Sequence, residues 1–382
     1  MIYFDNAATS FFKPPEVIGA ALNTVRFLSV NPGRSAHFMA LKGSALVYRA
    51  RKTLASFFGC DDPSRVIFTS GCTNSVNLAV MGSNLIGKHV ITTALEHNAV
   101  LRPLFELKRR GIISLTVIPP NENGNISASD VLSAVRPTTA MVAMTHVSNV
   151  TGAVNPIAET GEICRKKGVL FLVDAAQSAG HIPLNAKECA IDMLAAPSHK
   201  GLHGLPGSGA LILSERASLT PIIFGGTGTR SLSLIQPPDY PEGLEAGTLN
   251  LPGIAAMARA ADICNRDFAV RREKLSFLTV RLTESLKNLP GVRLYSRDYS
   301  PSGIVAFNLA GMQSDDVAEI LSEKYAICVR SGLHCAPLIH KALGTEQRGI
   351  VRASLSFSNT EDEVDAFSNA IGEILKSKKH GC

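Results

Sequence analysis

From Pro14 to about Val30, and again from about Ala36 to Phe58, apolar residues recur three and four positions apart, the spacing that lays a stripe along one helix face. Gly59 follows the second run and predicts its end. Beyond it the pattern changes. Short β-branched or apolar runs at Val66–Thr69, His89–Thr92, Leu115–Ile118, Ala140–Thr145, Val169–Val173, Ile191–Ala195 and Ala210–Leu213 read as strands. Helical stretches at Ser75–Asn84, Ala99–Arg110 and Ile157–Lys167 fall between them. Strands alternating with helices predict an α/β domain around a mostly parallel sheet, and in such sheets ligands sit beyond the carboxyl ends of the strands.

The stretch from Phe224 to Pro252 is polar, rich in glycine and proline, and without period. It is longer than an ordinary connection, which predicts a functional loop. Helical pattern resumes from Gly253 to about Leu286. Strand-like runs follow at Val292–Tyr295, Ile304–Leu309, Ile327–Val329 and Val351–Phe357, with helices near Ser314–Lys324 and Thr360–Lys376. At 382 residues the chain exceeds the size at which one core stops growing. Two domains are therefore expected: a large α/β domain over 14–252, and a smaller α+β domain over 253–382 joined by residues 1–13. No internal repeat is seen.

Composition narrows the function classes. Hydrophobic residues make up 45% and charged residues 18% of the chain. No apolar run approaches the roughly 18 residues that span a bilayer, and the start lacks a basic segment followed by an apolar one. A soluble, cytoplasmic protein with no membrane partner is expected. The net charge of +6 comes from scattered residues, with one short cluster at Lys376, Lys378 and Lys379. No basic stripe with interleaved aromatics suggests a nucleic-acid partner; a modest positive field suits small anionic ligands. Eight cysteines, none in a CxxC pair, argue against a zinc ribbon, a disulfide framework or any metal site. A reactive cysteine must be singled out by its neighbours.

The candidate chemistry lies at strand ends. Lys200, in Pro197-Ser198-His199-Lys200, follows a strand and precedes a glycine-rich turn. Buried there, its amine would lose its proton more easily and could form a Schiff base with an aldehyde; alone, a loop lysine is also a solvated surface charge. Asp174, directly after the strand ending at Val173, could pair with a ring nitrogen or could cap a helix. Gln177 and Asn149 could reach a phenolic oxygen on that ring, although asparagine turns are commonplace. The Thr69-Ser70-Gly71-Cys72-Thr73-Asn74 link offers backbone N–H groups and the Thr73 hydroxyl to a phosphate at a helix N-terminus. His97, after another strand, could lie over the ring or simply cap the next helix.

With these segments in chain order, the sequence resembles the class V (fold type I) pyridoxal-phosphate (PLP) enzymes, and within them the cysteine desulfurase and selenocysteine lyase branch. The likeness runs nearly end to end. Besides the residues above it takes in Tyr3-Phe4-Asp5-Asn6-Ala7-Ala8-Thr9, Glu96-His97, Glu245-Ala246-Gly247-Thr248, Arg330-Ser331-Gly332-Leu333-His334-Cys335-Ala336-Pro337, Arg352-Ala353-Ser354-Leu355 and Asn359-Thr360. The resemblance implies a seven-stranded-type sheet in the large domain and a cysteine loop of the short type in the small one. It makes Lys200 the Schiff-base lysine, Asp174 the partner of the ring nitrogen, His97 the stacking residue, and Gln177 and Asn149 the neighbours of the phenolic oxygen. The phosphate cup becomes Thr73, His199 and the backbone at Gly71 and Cys72, with Ser198 as a substitute where Pro197 removes a serine common among relatives. The resemblance further implies a homodimer with shared active sites, in which Thr248 completes the partner's cup. Arg352 is similar to the arginine that grips the substrate carboxylate, with Arg330 beside the cysteine loop, Arg34 reaching across the interface, and Asn6 and Ala8 near the substrate.

Arginine suits a carboxylate because its fork makes two parallel charge-assisted hydrogen bonds. Both amino transfer and sulfur transfer need that grip, so the discriminating residue is Cys335, whose neighbours Arg330 and His334 are expected to favour a thiolate. The expected reaction converts L-cysteine, or selenocysteine, to alanine, with Cys335 taking sulfur as a persulfide for an acceptor protein. His97 would handle the proton near the substrate thiol. Selenocysteine lyase, another class V aminotransferase or lyase, and a non-catalytic sulfur-delivery subunit stay open as alternatives. Leu333 and Cys72 depart from the histidine and threonine usual at their positions, and Cys382 could be a second sulfur relay or a frayed tail.

Overall fold

The computed structural model describes residues 1–33, 35–121, 124–296 and 299–380, with side chains as far as Ser377. Arg34 and Cys382 lie outside the described residues. The chain opens with a two-residue strand β1 (Ile2–Tyr3) and two helices, α1 (Pro15–Phe27) and α2 (Phe38–Phe58). Gly59 ends α2 in the left-handed conformation, φ 70°, as its position predicts.

Strands and helices then alternate: β2 (Val66–Thr69), α3 (Cys72–Gly82), β3 (Lys88–Thr93), α4 (Asn98–Arg109), β4 (Ile113–Ile118), α5 (Ala128–Ala134), β5 (Thr139–Thr145), α6 (Ile157–Lys167), β6 (Leu170–Asp174), β7 (Met193–Pro197) and β8 (Gly209–Leu213). The seven strands β2 to β8 form one sheet in the order β2-β8-β7-β6-β5-β3-β4. Only β8 runs against its neighbours; β4, β3, β5, β6 and β7 are parallel. Phe171 and Val173 of β6 join the core on one face, and Leu172 joins the core on the other. Burial on both faces is why these strands read as continuous apolar runs rather than alternating ones.

The loop from Phe224 to Pro252 contains one 3₁₀ turn, Glu242–Leu244, and is otherwise irregular until α7 (Leu251–Lys287) begins. This 37-residue helix serves both cores. Ile254, Met257 and Ala261 pack in the core of the large sheet, whereas Leu275, Leu278, Leu282 and Leu286 pack in that of the small domain. There β9 (Val292–Leu294), β10 (Ile304–Leu309) and β12 (Val351–Ser354) form an antiparallel sheet in the order β12-β10-β9, and β11 (Ile327–Cys328) pairs in parallel with β1. That pairing sets the N-terminal strand beside β11, and Phe4 packs in the same core as Leu275 and Phe367. Helices α8 (Ser314–Tyr325), α9 (Pro337–Leu343) and α10 (Glu361–His380) complete it.

Most predicted elements stand within two or three residues of where periodicity placed them. Three were not foreseen. α5 and α9 have seven residues each, too short for two periods of a helical pattern, and β1 is a strand only because β11 lies beside it. The strand expected to reach Phe357 stops at Ser354.

Candidate active site

The carboxyl ends of β2, β3, β5, β6 and β7 open on a cleft of about 360 Å³ between the large sheet and the small domain. Lys200 emerges three residues after β7 in a turn closed by His203 N–H donating to the Lys200 carbonyl, 2.8 Å, and Gly204 N–H to the Ser198 carbonyl, 2.8 Å. Its amine lines the cleft. Burial pulls its pKa down against the opposing pull of Asp174, so part of the cost of ionising an enclosed amine is avoided by staying neutral.

Asp174 is the last residue of β6. Its Oδ1 accepts from the Ala176 N–H at 2.9 Å and from the Cys72 thiol at 3.2 Å. Oδ2 is left without a protein donor among the described residues, in a side chain that lines the cleft. His97 caps α4: Nδ1 accepts from the Ala99 N–H at 3.0 Å. Burial lowers its pKa, and with Nδ1 used as an acceptor the neutral ring carries its proton on Nε2. The capping and cofactor-facing readings of His97 are thus compatible.

Gly71 is the N-cap of α3, and no side chain caps that end. Helix N–H groups without a cap attract an anion. Cys72, Thr73 and Asn74 line the cleft in this first turn. Gly209, which sequence reasoning passed over, is what lets β8 come against the turn: a Cβ there would stand 2.8 Å from Gly71 Cα. Its signal was faint, one glycine opening an apolar run. Thr145, at the carboxyl end of β5, lines the cleft too and was also missed.

His199 lines the cleft, its pKa pushed down to about 4 by burial, and its carbonyl accepts from Ser10 N–H at 2.9 Å. Ser198 does not line it. Its hydroxyl is buried without a partner and faces Gly204, where an added Cβ would meet Oγ. Gln177 and Asn149 both line the cleft with their amides engaged: Gln177 Nε2 donates to the Ala7 carbonyl at 2.9 Å, and Asn149 Nδ2 to the His334 carbonyl at 2.7 Å. Ala7 and Ala8 are at the wall, whereas the Asn6 amide is turned to the Ser354 carbonyl at 3.0 Å. Thr248 is exposed and does not line the cleft of its own chain. Its segment is fixed by the buried Arg51–Glu245 pair, Nη1 to Oε1 2.8 Å.

Arg330 and Arg352 form the side of the cleft contributed by the small domain, cross-bridged through their backbones, Arg352 N–H to Arg330 carbonyl 2.8 Å. Arg352 is 1% exposed; its Nη2 meets Asp5 Oδ1 at 2.8 Å, its Nη1 donates to the Asn149 carbonyl at 2.8 Å, and its Nε is buried without a partner. A buried guanidinium held on one edge with an unused donor has the chemistry to take a carboxylate.

Cys335 is exposed. It lines a second, outer cleft of about 430 Å³ together with Thr73, His97 and Ala99, which line the inner one as well, so the thiol stands at the junction of the two. Arg330 Nη2 approaches its sulfur at 3.6 Å. His334 and Cys335 both take left-handed backbone, φ 49° and 56°, rare for residues with a Cβ. The expectation that His334 promotes a thiolate is corrected here. His334 is buried, burial pushes its pKa down to about 2, and its Nε2 donates to the Ile350 carbonyl at 3.0 Å. A neutral ring turned into the small domain supplies no positive charge to the sulfur.

A family model described as "Aminotransferase class-V" matches residues 2–367. A probable cysteine desulfurase of Methanothermobacter thermautotrophicus is 32% identical over 98% of this chain and 94% of its own. The cysteine desulfurase IscS of Pasteurella multocida is 31% identical over 95% and 90%. Among solved structures, an apo cysteine desulfurase from Thermococcus onnurineus superposes with a TM-score of 0.92 at 33% identity, covering 98% of this chain and 95% of that one. Full-length likeness in sequence and in fold places this chain in the class-V aminotransferase family, on its cysteine desulfurase branch.

Proposed function

We propose that the protein is a PLP-dependent cysteine desulfurase that converts L-cysteine to L-alanine and carries the sulfur on Cys335 as a persulfide. One observation carries the reading: an exposed thiol stands at the mouth of a cleft that holds a half-buried lysine and a carboxylate with a free oxygen. A transaminase needs the lysine and carboxylate but has no use for the thiol.

The cleft fits the cofactor in three places. Lys200 would hold the aldehyde carbon through its amine, Asp174 Oδ2 the ring nitrogen, and the uncapped start of α3 with Thr73 and His199 the phosphate. PLP bound there supplies an electron sink next to the substrate's α-carbon. Arg352, with Arg330 beside it, would grip the substrate carboxylate, and Lys200, released, is placed to move the α-proton. The sulfur step balances without an external oxidant. Cys335 thiolate bonds to the substrate sulfur, the substrate Cβ–S bond breaks, and its electron pair stays with carbon, which takes a proton to become alanine. His97, which lines both clefts and carries its proton on Nε2, would exchange that proton.

The chain acts as a homodimer in this reading. Phe27, Phe38, Leu41 and Tyr48 of the leading helices and Phe224, Leu232, Leu234 and Ile235 of the long loop expose large apolar side chains that a second copy would cover. Thr248 lies in the same loop, which supports its donation to the partner's phosphate cup. An acceptor protein would take the sulfur from Cys335, and no helix among the described residues is long and apolar enough to cross a membrane.

The test is Cys335→Ala. Alanine and sulfide production from L-cysteine should fall to background while the purified protein keeps its visible cofactor absorbance. Full turnover by the variant would remove the thiol from the reaction.

A further inference from the structure

A second thiol stands inside the cleft, and nothing in the sulfur chemistry employs it. Cys72 is the first residue of α3, directly after the N-cap Gly71. Its Sγ lies 3.2 Å from Asp174 Oδ1 and 3.6 Å from the Ala195 carbonyl of β7. The same Oδ1 accepts the Ala176 N–H at 2.9 Å. Two donors from different elements converge on one carboxylate oxygen, and this fixes the plane of the group as well as its position. The other oxygen is then the one turned to the cleft.

We propose that Cys72 is a positioning residue: its thiol, donating to Asp174 Oδ1, ties the phosphate-binding turn to the carboxylate and holds Oδ2 toward the ring nitrogen of the cofactor. This deepens the PLP reading and rests on it. The role requires the protonated thiol, since a thiolate beside Asp174 would be repelled. Burial, and then the Asp174 charge, push the Cys72 pKa well up and keep the proton in place. The same proton makes Cys72 a poor nucleophile, so two cysteines near one cleft divide the work, Cys335 taking sulfur and Cys72 orienting the carboxylate.

The experiment compares wild type, Cys72→Ala and Cys72→Ser. Two readouts serve: the pH titration of the visible absorbance of the loaded proteins, and the dissociation constant of PLP from the apoproteins. A carboxylate free to turn holds the ring's positive charge less firmly, and a less positive ring leaves the nitrogen shared with Lys200 more basic. Cys72→Ala should move the titration midpoint upward and weaken PLP binding roughly 3- to 10-fold, less than the loss of a direct charge-assisted contact because a thiol is a weak donor and acts on the ring only through Asp174. Serine, a hydroxyl donor of similar reach, should bring both values back toward wild type. An alanine variant that matches wild type in both readouts overturns the proposal. Equal impairment of alanine and serine variants also overturns it, because sulfur volume and not donation would then be what matters. Wild-type protein that takes up no PLP would sink the cofactor reading itself, and this proposal with it, an outcome distinct from the other two.

Discussion

The main-chain carbonyl of Cys335 accepts a hydrogen bond from the Asn98 N–H at 2.7 Å, which ties the thiol's loop to the first turn of the helix that His97 caps. Proton-bearing ring and sulfur are therefore set by one anchor. A second tie, Asn149 Nδ2 to the His334 carbonyl at 2.7 Å, fastens the preceding residue. Both pins hold backbone in a left-handed conformation it would otherwise leave.

Removing one pin should loosen the loop. Asn149→Ala leaves the buried His334 carbonyl without its donor, a loss of about 1–3 kcal/mol. Steady-state kinetics should show turnover with L-cysteine reduced about tenfold, and hydrogen exchange should rise at 333–336. Unchanged exchange there would mean that the Asn98 contact suffices alone.

Arg352→Lys tests the carboxylate grip. Lysine keeps the charge but loses the fork and the simultaneous contacts to Asp5 and the Asn149 carbonyl. KM for L-cysteine should increase at least about tenfold, since one charge-assisted bond is worth about 1.5–3 kcal/mol, with the cofactor absorbance retained. A KM equal to wild type would assign the substrate carboxylate to another residue.

Stability should fall on mild acidification. His146, His181, His199 and His340 have pKa values pushed down to about 4, His203 to about 3 and His334 to about 2, all chiefly by burial. A base with a depressed folded pKa gives stability that is complete above its unfolded value near 6.5 and is lost as pH falls toward the folded value. Each fully buried group contributes about 1.4 kcal/mol per pH unit in that window, less for those nearer solvent. Glu96 opposes them. Burial raises it to about 8, so its contribution is complete below 4.5 and lost as pH rises to 8. Six groups outweigh one between pH 6.5 and 5, and the melting temperature should drop across that interval.

The opposing carboxyl can be isolated. Glu96 is fully buried, with Oε1 accepting from the Thr93 hydroxyl at 2.6 Å and the Thr145 N–H at 3.0 Å, and Oε2 without a partner. Glu96→Gln keeps the acceptor and removes the ionisation. It should stabilise the protein at pH 8 by on the order of 1–3 kcal/mol and have no effect near pH 4.5. Destabilisation at both pH values would show the acid to be ionised and paired in the folded protein.

The apolar loop surface predicts the assembly. Leu234→Glu places a charge on a fully exposed leucine that a second copy would cover. Light scattering should show the monomer gaining at the dimer's expense, and PLP affinity should fall along with it if Thr248 serves the neighbouring cup. A monomeric wild type would refute the shared site.

Periodicity along the chain was enough for the α/β class, the order of elements and the aperiodic loop, because those depend on which residues meet water and which do not, a property local to each segment. Strand ends were legible for the same reason, and so Lys200, Asp174, His97 and Thr73 could be named before any coordinates. What each side chain bonds to was not legible. His334 and Arg330 flank the same loop, yet one ring is buried against Ile350 while the other side chain reaches the sulfur. Ser198 adjoins His199, yet only His199 lines the cleft. Asp174 and Cys72 are 102 residues apart and meet because β8 lets the turn after β2 close over the end of β6. Partners so distant in sequence are chosen by packing, since a buried donor must find an acceptor wherever the folded chain places one, and that choice belongs to the tertiary structure.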